Sequence, residues 1–245
     1  MQRKLIGMLT PSSNTVLEPY TSAMLQELAP DVTAHFQRFR VKEIALDAAA
    51  LAQFDPTAQL EAAALLGDAH MDVIAWNGTS ASWLGFERDR HLCAAIAETT
   101  GVPATSSVLA LNEILARTGV ERLGLVTPYL DEIQAEIIGH YHKAGVEVIA
   151  ERHLNDRGNF SFSEYHEDIL VDMVRDVARA RPQAITILCT NLRGAGIVEA
   201  LEKDIGIPIY DSVSVTVWKA LIMANVDPAR VRGWGGLFQD PRLTA

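Results

Sequence analysis

The chain has 245 residues, 49% of them apolar and 21% charged, which is the balance of a globular protein long enough for one large or two small cored domains. Its formal net charge of −10 argues against nucleic acid or an anionic membrane surface as a partner, since both need a basic face, yet leaves room for a small anion held by local donors. Two cysteines, Cys93 and Cys189, are too few for a disulfide framework or a thiolate metal site, and no apolar run reaches the roughly 18 residues of a spanning helix.

Met1-Gln2-Arg3-Lys4 leads straight into a strand-like segment without the apolar core of a signal peptide, so the cytoplasm is the expected compartment. In chain order the first half reads as strand 4–10, helix 14–28, strand 32–39, helix 57–69, strand 72–77, helix 86–99, strand 102–105 and helix 106–117. The second half reads as strand 121–127, helix 130–144, strand 146–152, helix 164–181, strand 184–189, helix 194–205, strand 207–210 and helix 212–224. Leu60, Ala64 and Leu65 recur at helical spacing in 57–69, and Gly145 and Gly206 stand where helices should stop. The stretches 73–76 and 184–188 are apolar without alternation, as expected where helices cover both faces of a sheet.

The chain is also written twice. Ile6-Gly7-Met8-Leu9-Thr10-Pro11 matches Leu123-Gly124-Leu125-Val126-Thr127-Pro128. Ile74-Ala75-Trp76-Asn77-Gly78-Thr79-Ser80 matches Ile185-Thr186-Ile187-Leu188-Cys189-Thr190-Asn191, and Thr100-Gly101-Val102-Pro103 matches Ile205-Gly206-Ile207-Pro208. The three pairs are collinear, at offsets of 117, 111 and 105 residues, which implies two homologous halves with small deletions in the second. Alternating strands and helices imply parallel sheets with right-handed crossovers. The expected fold is α/β: two pseudo-symmetric lobes, 1–117 and 118–211, facing each other across a cleft. The segment 212–245, opening with a helix, is expected to pack back on the N-terminal lobe.

Ligands of such sheets lie beyond the carboxyl ends of the strands. That places four loops at the cleft: Ser12-Ser13-Asn14, Gly78-Thr79-Ser80, the loop at Tyr129, and Cys189-Thr190-Asn191. Each is rich in small hydroxyl or amide side chains and precedes a helix, whose free N–H groups suit a carboxylate. Capping alone explains one such loop; four symmetry-related loops meeting at one cleft favour carboxylate binding. Cys189 reads either as an apolar filler at a strand end or as a functional thiol, with its place at a helix start expected to lower its pKa. Cys93, beside Leu92, Ala95 and Ile96, reads as core. Trp83, Phe86, Trp218 and Trp234 either line a pocket or pack. Trp234 and Phe238 would supply an exposed apolar patch, and with it a homo-oligomer. His140 and His142 fall on different helix faces, and no phosphate- or dinucleotide-binding glycine motif is present, so neither metal nor cofactor is expected.

These motifs resemble the aspartate/glutamate racemase superfamily, whose two α/β lobes each bring one cysteine to the cleft. Pro11-Ser12-Ser13-Asn14-Thr15 and Cys189-Thr190-Asn191-Leu192-Arg193 resemble maleate cis-trans isomerases, whereas Gly78-Thr79-Ser80 resembles arylmalonate decarboxylases, which keep only the second cysteine. The resemblance implies Thr79, Ser80 and Tyr129 as carboxylate or oxyanion donors, with Asn14 and Asn159 from the isomerase pattern. It also implies a sorting of mechanisms. With glycine at position 78, two-thiol racemisation and attack by a first cysteine both lose their nucleophile, and Cys189 is left to protonate an enediolate after loss of CO2. The expectation is therefore a cofactor-independent enzyme acting on a small carboxylate or dicarboxylate. The alternatives are a maleate-type isomerase or related racemase, and a non-catalytic dicarboxylate-binding protein. Decarboxylases of this kind carry small glycines after the cysteine; Thr190 and Asn191 here point to a more hydrophilic acid.

Overall fold

The computed structural model describes residues 3–41 and 56–244. Its strands form two parallel four-stranded sheets. One holds β1 (Lys4–Pro11), β2 (Val32–Phe39), β3 (Val73–Trp76) and β4 (Ala104–Ser106) in the order β2-β1-β3-β4. The other holds β5 (Arg122–Thr127), β6 (Glu147–His153), β7 (Ala184–Ile187) and β8 (Ile209–Asp211) in the equivalent order β6-β5-β7-β8. The central strands β3 and β7 are buried along their whole length, because helices cover both faces of each sheet.

The helices are α1 (Leu17–Met24), α2 (Pro56–Gly67), α3 (Ala81–Leu84), α4 (Phe86–Thr100) and α5 (Ser107–Thr118), then α6 (Asp131–Lys143), α7 (Glu167–Ala178), α8 (Val198–Ile205) and α9 (Ser212–Met223). Two glycines show how closely the halves follow one plan. A Cβ at Gly124 would lie 2.4 Å from Val177 Cγ1 on α7, and one at the equivalent Gly7 would lie 3.0 Å from Met71 Cγ. Each first strand needs the missing side chain so that its neighbours can close onto the sheet at native packing density.

Helix α9 packs against α5, α1, β3 and β4 of the first lobe as well as against its own β8. Ser107 and Ser212, equivalent first residues of α5 and α9, bond the carbonyls of Trp76 (3.5 Å) and Ile187 (3.1 Å), tying both helices to the ends of the central strands. Ser107 Oγ also meets Thr216 Oγ1 at 2.6 Å, joining the two helices directly. Trp218 is fully buried and donates from Nε1 to Leu243 O at 3.0 Å, so it packs rather than lines a site.

Three expectations need correction. Helix α2 turns Gln59, Ala62, Ala63 and Leu66 inward and leaves Leu65 exposed; in a run of five apolar residues, spacing alone does not choose the face. The expected apolar patch at the C-terminus is absent: Phe238 is fully buried, and Trp234 packs edge-on against Tyr20 at 5.8 Å. Strand β7 ends at Ile187 and α8 starts only at Val198, after a turn and a short 3-10 segment. Cys189 therefore sits in a turn, not at a helix start. Among the described residues no helix is long and apolar enough to cross a membrane.

Candidate active site

The carboxyl ends of β3 and β7 converge on one cavity. Its walls include Gly78, Thr79, Ser80, Tyr129, Asn159, Cys189 and Thr190, all singled out from the sequence, together with Pro11, Val41, Trp76 and Trp83. No lysine or arginine is among these residues. The free space between them is about 30 Å³, the room of a water molecule or two. An anion among these described residues would meet neutral donors in buried surroundings, where each hydrogen bond counts for more than in water.

Cys189 is buried, and that burial pushes its thiol up to about 12. Smaller opposing effects come from the Asn191 N–H, which donates to Sγ at 3.4 Å, and from the Tyr129 hydroxyl. The lowering expected of a helix start is missing because no helix starts there. The group is a protonated thiol at neutral pH, suited to giving a proton rather than to attacking as thiolate. Buried Asp211, at the end of β8, raises the thiol slightly further. It caps α9 by accepting from the N–H groups of Val213 (2.8 Å) and Ser214 (3.1 Å), and burial pushes its own carboxyl up to about 7.

Tyr129 is buried between the lobes. Its hydroxyl lies 2.6 Å from Thr79 Oγ1, and burial, then the neighbouring Cys189, holds its pKa well above the ordinary phenol value. The phenol therefore stays protonated as a donor, linking the thiol of one lobe to the hydroxyl cluster of the other. Trp83 stacks on it in a tilted arrangement with centroids 4.9 Å apart.

The other sequence candidates brace the cavity from outside. Asn14 spends its Oδ1 on the N–H groups of Val16 (2.9 Å) and Leu17 (3.0 Å), which is why α1 begins at Leu17 rather than at 14. Its Nδ2 donates to Thr190 Oγ1 at 3.1 Å, and that hydroxyl donates to Asn77 O at 3.1 Å. Asn191 accepts from Thr15 N at 3.0 Å and donates to Asn159 O at 2.6 Å. Asn159 Nδ2 donates to Ser13 Oγ at 2.8 Å, and both Ser12 and Ser13 donate to Val41 O. Ser13, Asn14, Asn159, Thr190 and Asn191 thus form a strap of hydrogen bonds across the cleft, with Ser12 held on Val41 of its own lobe, and of that strap only Asn159 and Thr190 reach the cavity wall. Cys93 is buried on α4, and burial raises its thiol, as fits a core position.

Pattern reading passed over Trp76. The signal was available: residues two apart on a strand share a face, so Trp76 projects on the same side as position 78.

The family model for arylmalonate decarboxylase matches residues 7–238. The chain is 25% identical over 231 residues to a maleate isomerase of Geobacillus stearothermophilus, covering 90% of this chain and 92% of that one. It is 26% identical over 171 residues to an arylmalonate decarboxylase of Bordetella bronchiseptica, covering 69% of this chain and 71% of that one. In three dimensions it is similar to a maleate isomerase from Pseudomonas putida S16 with maleate, at TM-score 0.89 and 23% identity over 98% of this chain and 99% of that one. A double mutant of arylmalonate decarboxylase in liganded form gives 0.83 at 22% identity, over 95% of this chain and 97% of that one. At these identities the solved structures establish the fold, two parallel sheets flanked by helices, and the matched relatives carry the names of enzymes. With two copies of one α/β plan meeting at a one-thiol cavity, and a family match spanning nearly its whole length, the chain belongs to the arylmalonate decarboxylase family.

Proposed function

We propose that this protein is a cofactor-independent decarboxylase of a small malonate-type dicarboxylate, with Cys189 as a one-sided acid. The observation that carries the reading is the pairing of one buried, protonated thiol with a glycine at the equivalent place in the other lobe. Thr79, Ser80 and Tyr129 hold the retained carboxylate. The second carboxylate leaves as CO2, and the C–C bonding pair flows into the retained carboxylate to give an enediolate. Donors aimed at those oxygens stabilise the developing charge, and exclusion of water removes competing solvation from the leaving carboxylate. Cys189 then gives its proton to the α carbon, and the thiolate recovers a proton from solvent. Even a thiol raised to about 12 is a far stronger acid than the α C–H bond being formed, so the transfer runs downhill. The hydroxyl of Thr190 is committed to Asn77 and Asn14, and the side chain's bulk beside the thiol favours compact substituents on the α carbon over an aryl ring.

The test is turnover of a prochiral disubstituted malonate in deuterium oxide. One deuterium at the α carbon in a single configuration is expected; a racemic product overturns the one-sided acid.

A second reading is cis-trans isomerisation of a cis-diacid. Its support is the maleate isomerase relatives, together with the Asn14–Thr190 bond, which joins the two motifs that resemble such enzymes. Maleate is the probe: fumarate appearing by NMR, with no CO2 released from any malonate, selects this reading over the first.

A further inference from the structure

Position 78 has no side chain, yet the space beside it is not free. A Cβ built on Gly78 would lie 1.9 Å from Trp76 Cζ2, 2.3 Å from Cε2 and 2.5 Å from Cη2. The six-membered ring of Trp76 thus fills the volume in which any side chain at 78 would stand. The ring is buried and braced by Phe39, with centroids 5.1 Å apart. Nε1 is bonded to Cε2, so its N–H edge lies beside Gly78, and no described atom accepts from it. A buried donor without an acceptor costs free energy unless something supplies one. In the other lobe the equivalent of Trp76 is Ile187, an aliphatic side chain that packs under Gly194 and leaves Cys189 on the cavity wall.

We infer that Trp76 is a substrate-binding and specificity-determining residue: its indole closes the Gly78 side of the cavity, and its Nε1–H is offered to a carboxylate of the ligand. The inference deepens the dicarboxylate reading above and rests on it for the identity of the acceptor. It has a consequence for mechanism as well. A thiol introduced at position 78 has no room while the indole is in place, so the chain is closed to two-thiol chemistry by two residues rather than one.

Two experiments test it. The first is a stability cycle of wild type, Gly78→Ala, Trp76→Leu and the double variant, read by thermal unfolding. Gly78→Ala is expected to lower Tm by about 3–10 °C alone and by less than half of that in the Trp76→Leu background. Equal losses in both backgrounds overturn the filled slot. The second is a malonate titration of the 15N-labelled protein, with the Trp76 indole resonance identified by its loss in Trp76→Phe. A saturable downfield shift of that resonance is expected, with malonate bound about tenfold or more weakly by Trp76→Phe. Saturable shifts elsewhere in the spectrum with the Trp76 resonance unmoved overturn the donor role alone. No shift anywhere with malonate, methylmalonate or maleate overturns the dicarboxylate reading itself, and the donor role with it; the filled slot is then judged by the stability cycle.

Discussion

The two central strand ends of this molecule share a backbone plan and differ in what stands at their tips. After β3 the chain runs Trp76-Asn77-Gly78-Thr79-Ser80; after β7 it runs Ile187-Leu188-Cys189-Thr190-Asn191. A serine at the head of the helix that follows the neighbouring strand, Ser107 after β4 and Ser212 after β8, holds each strand end by its carbonyl, so the two tips are positioned alike. In the first lobe a large ring covers a bare backbone; in the second a smaller side chain leaves a thiol on the cavity wall. Duplication supplies two equivalent strand ends, and one substitution pair leaves a thiol at only one of them. The neighbours of the tips diverge with them. Thr79 meets the phenol of Tyr129, whereas Thr190 and Asn191 are spent on the strap across the cleft.

Removing the thiol breaks this comparison most severely. Cys189→Ala deletes the proposed acid, and turnover of a malonate is expected to fall by about 10²–10⁴-fold with ligand affinity nearly unchanged. Steady-state rates beside a binding titration check it, and full activity would remove Cys189 from the mechanism. Tyr129→Phe cuts the link between the thiol and Thr79 and takes one donor from the site. A loss of about 10²-fold in kcat is expected, on the scale of one oxyanion-hole donor, with the fold intact by circular dichroism. A kcat within a factor of two of wild type would assign Tyr129 to packing.

Ile187→Trp sharpens the comparison by giving the second lobe the first lobe's ring. Ile187 Cγ2 and Cδ1 already lie 2.9 and 3.0 Å from where a Cβ on Gly194 would be, so a larger side chain has to push into the cavity or against that loop. About 1–3 kcal/mol of stability should be lost to overpacking, measured by urea unfolding. Unchanged stability would mean that the second lobe has spare room and that the asymmetry is not a matter of volume.

The smallest effect concerns Asp211. Burial raises its folded pKa to about 7, above the unfolded value of about 3.9. The folded state therefore keeps the proton longer, and the associated stability, full below about pH 4, is lost as pH rises through about 7. Asp211→Asn keeps an oxygen to cap α9 and should flatten that part of the stability curve, leaving the similar share due to buried Asp89, whose carboxyl burial also raises to about 7. Urea unfolding at several pH values between 4 and 8 reads the slope; a slope identical to wild type would count against a raised pKa, and so against a retained proton, at Asp211 in the folded protein.

Much of the architecture was legible in the sequence for a plain physical reason. Parallel strands buried on both faces must be apolar runs, helices between them must show a periodic face, and a duplicated chain shows both patterns twice. The repeat also pointed to the cavity between the two sheets, since equivalent strand ends in equivalent sheets face one cleft. Seven candidates reached the cavity wall; Ser12, Ser13, Asn14 and Asn191 did not, because a polar side chain near a cleft can satisfy itself on its own lobe, as Ser12 does on Val41, or on the opposite one, as Asn191 does on Thr15, and sequence does not reveal which bond it takes. The protonation of Cys189 was misjudged for a similar reason. Its neighbours in sequence suggested a helix start, but its pKa is governed by what surrounds it in space.

The sequence by itself determined the class of fold, the duplication and the presence of a single thiol at the paired strand ends, because these follow from local periodicity and residue identity. Tertiary structure alone decided that the thiol is buried and protonated, that Tyr129 joins the two lobes, and that Trp76 fills the place of the missing side chain at Gly78. Desolvation and excluded volume depend on atoms brought together from distant parts of the chain, and no pattern along one dimension encodes them.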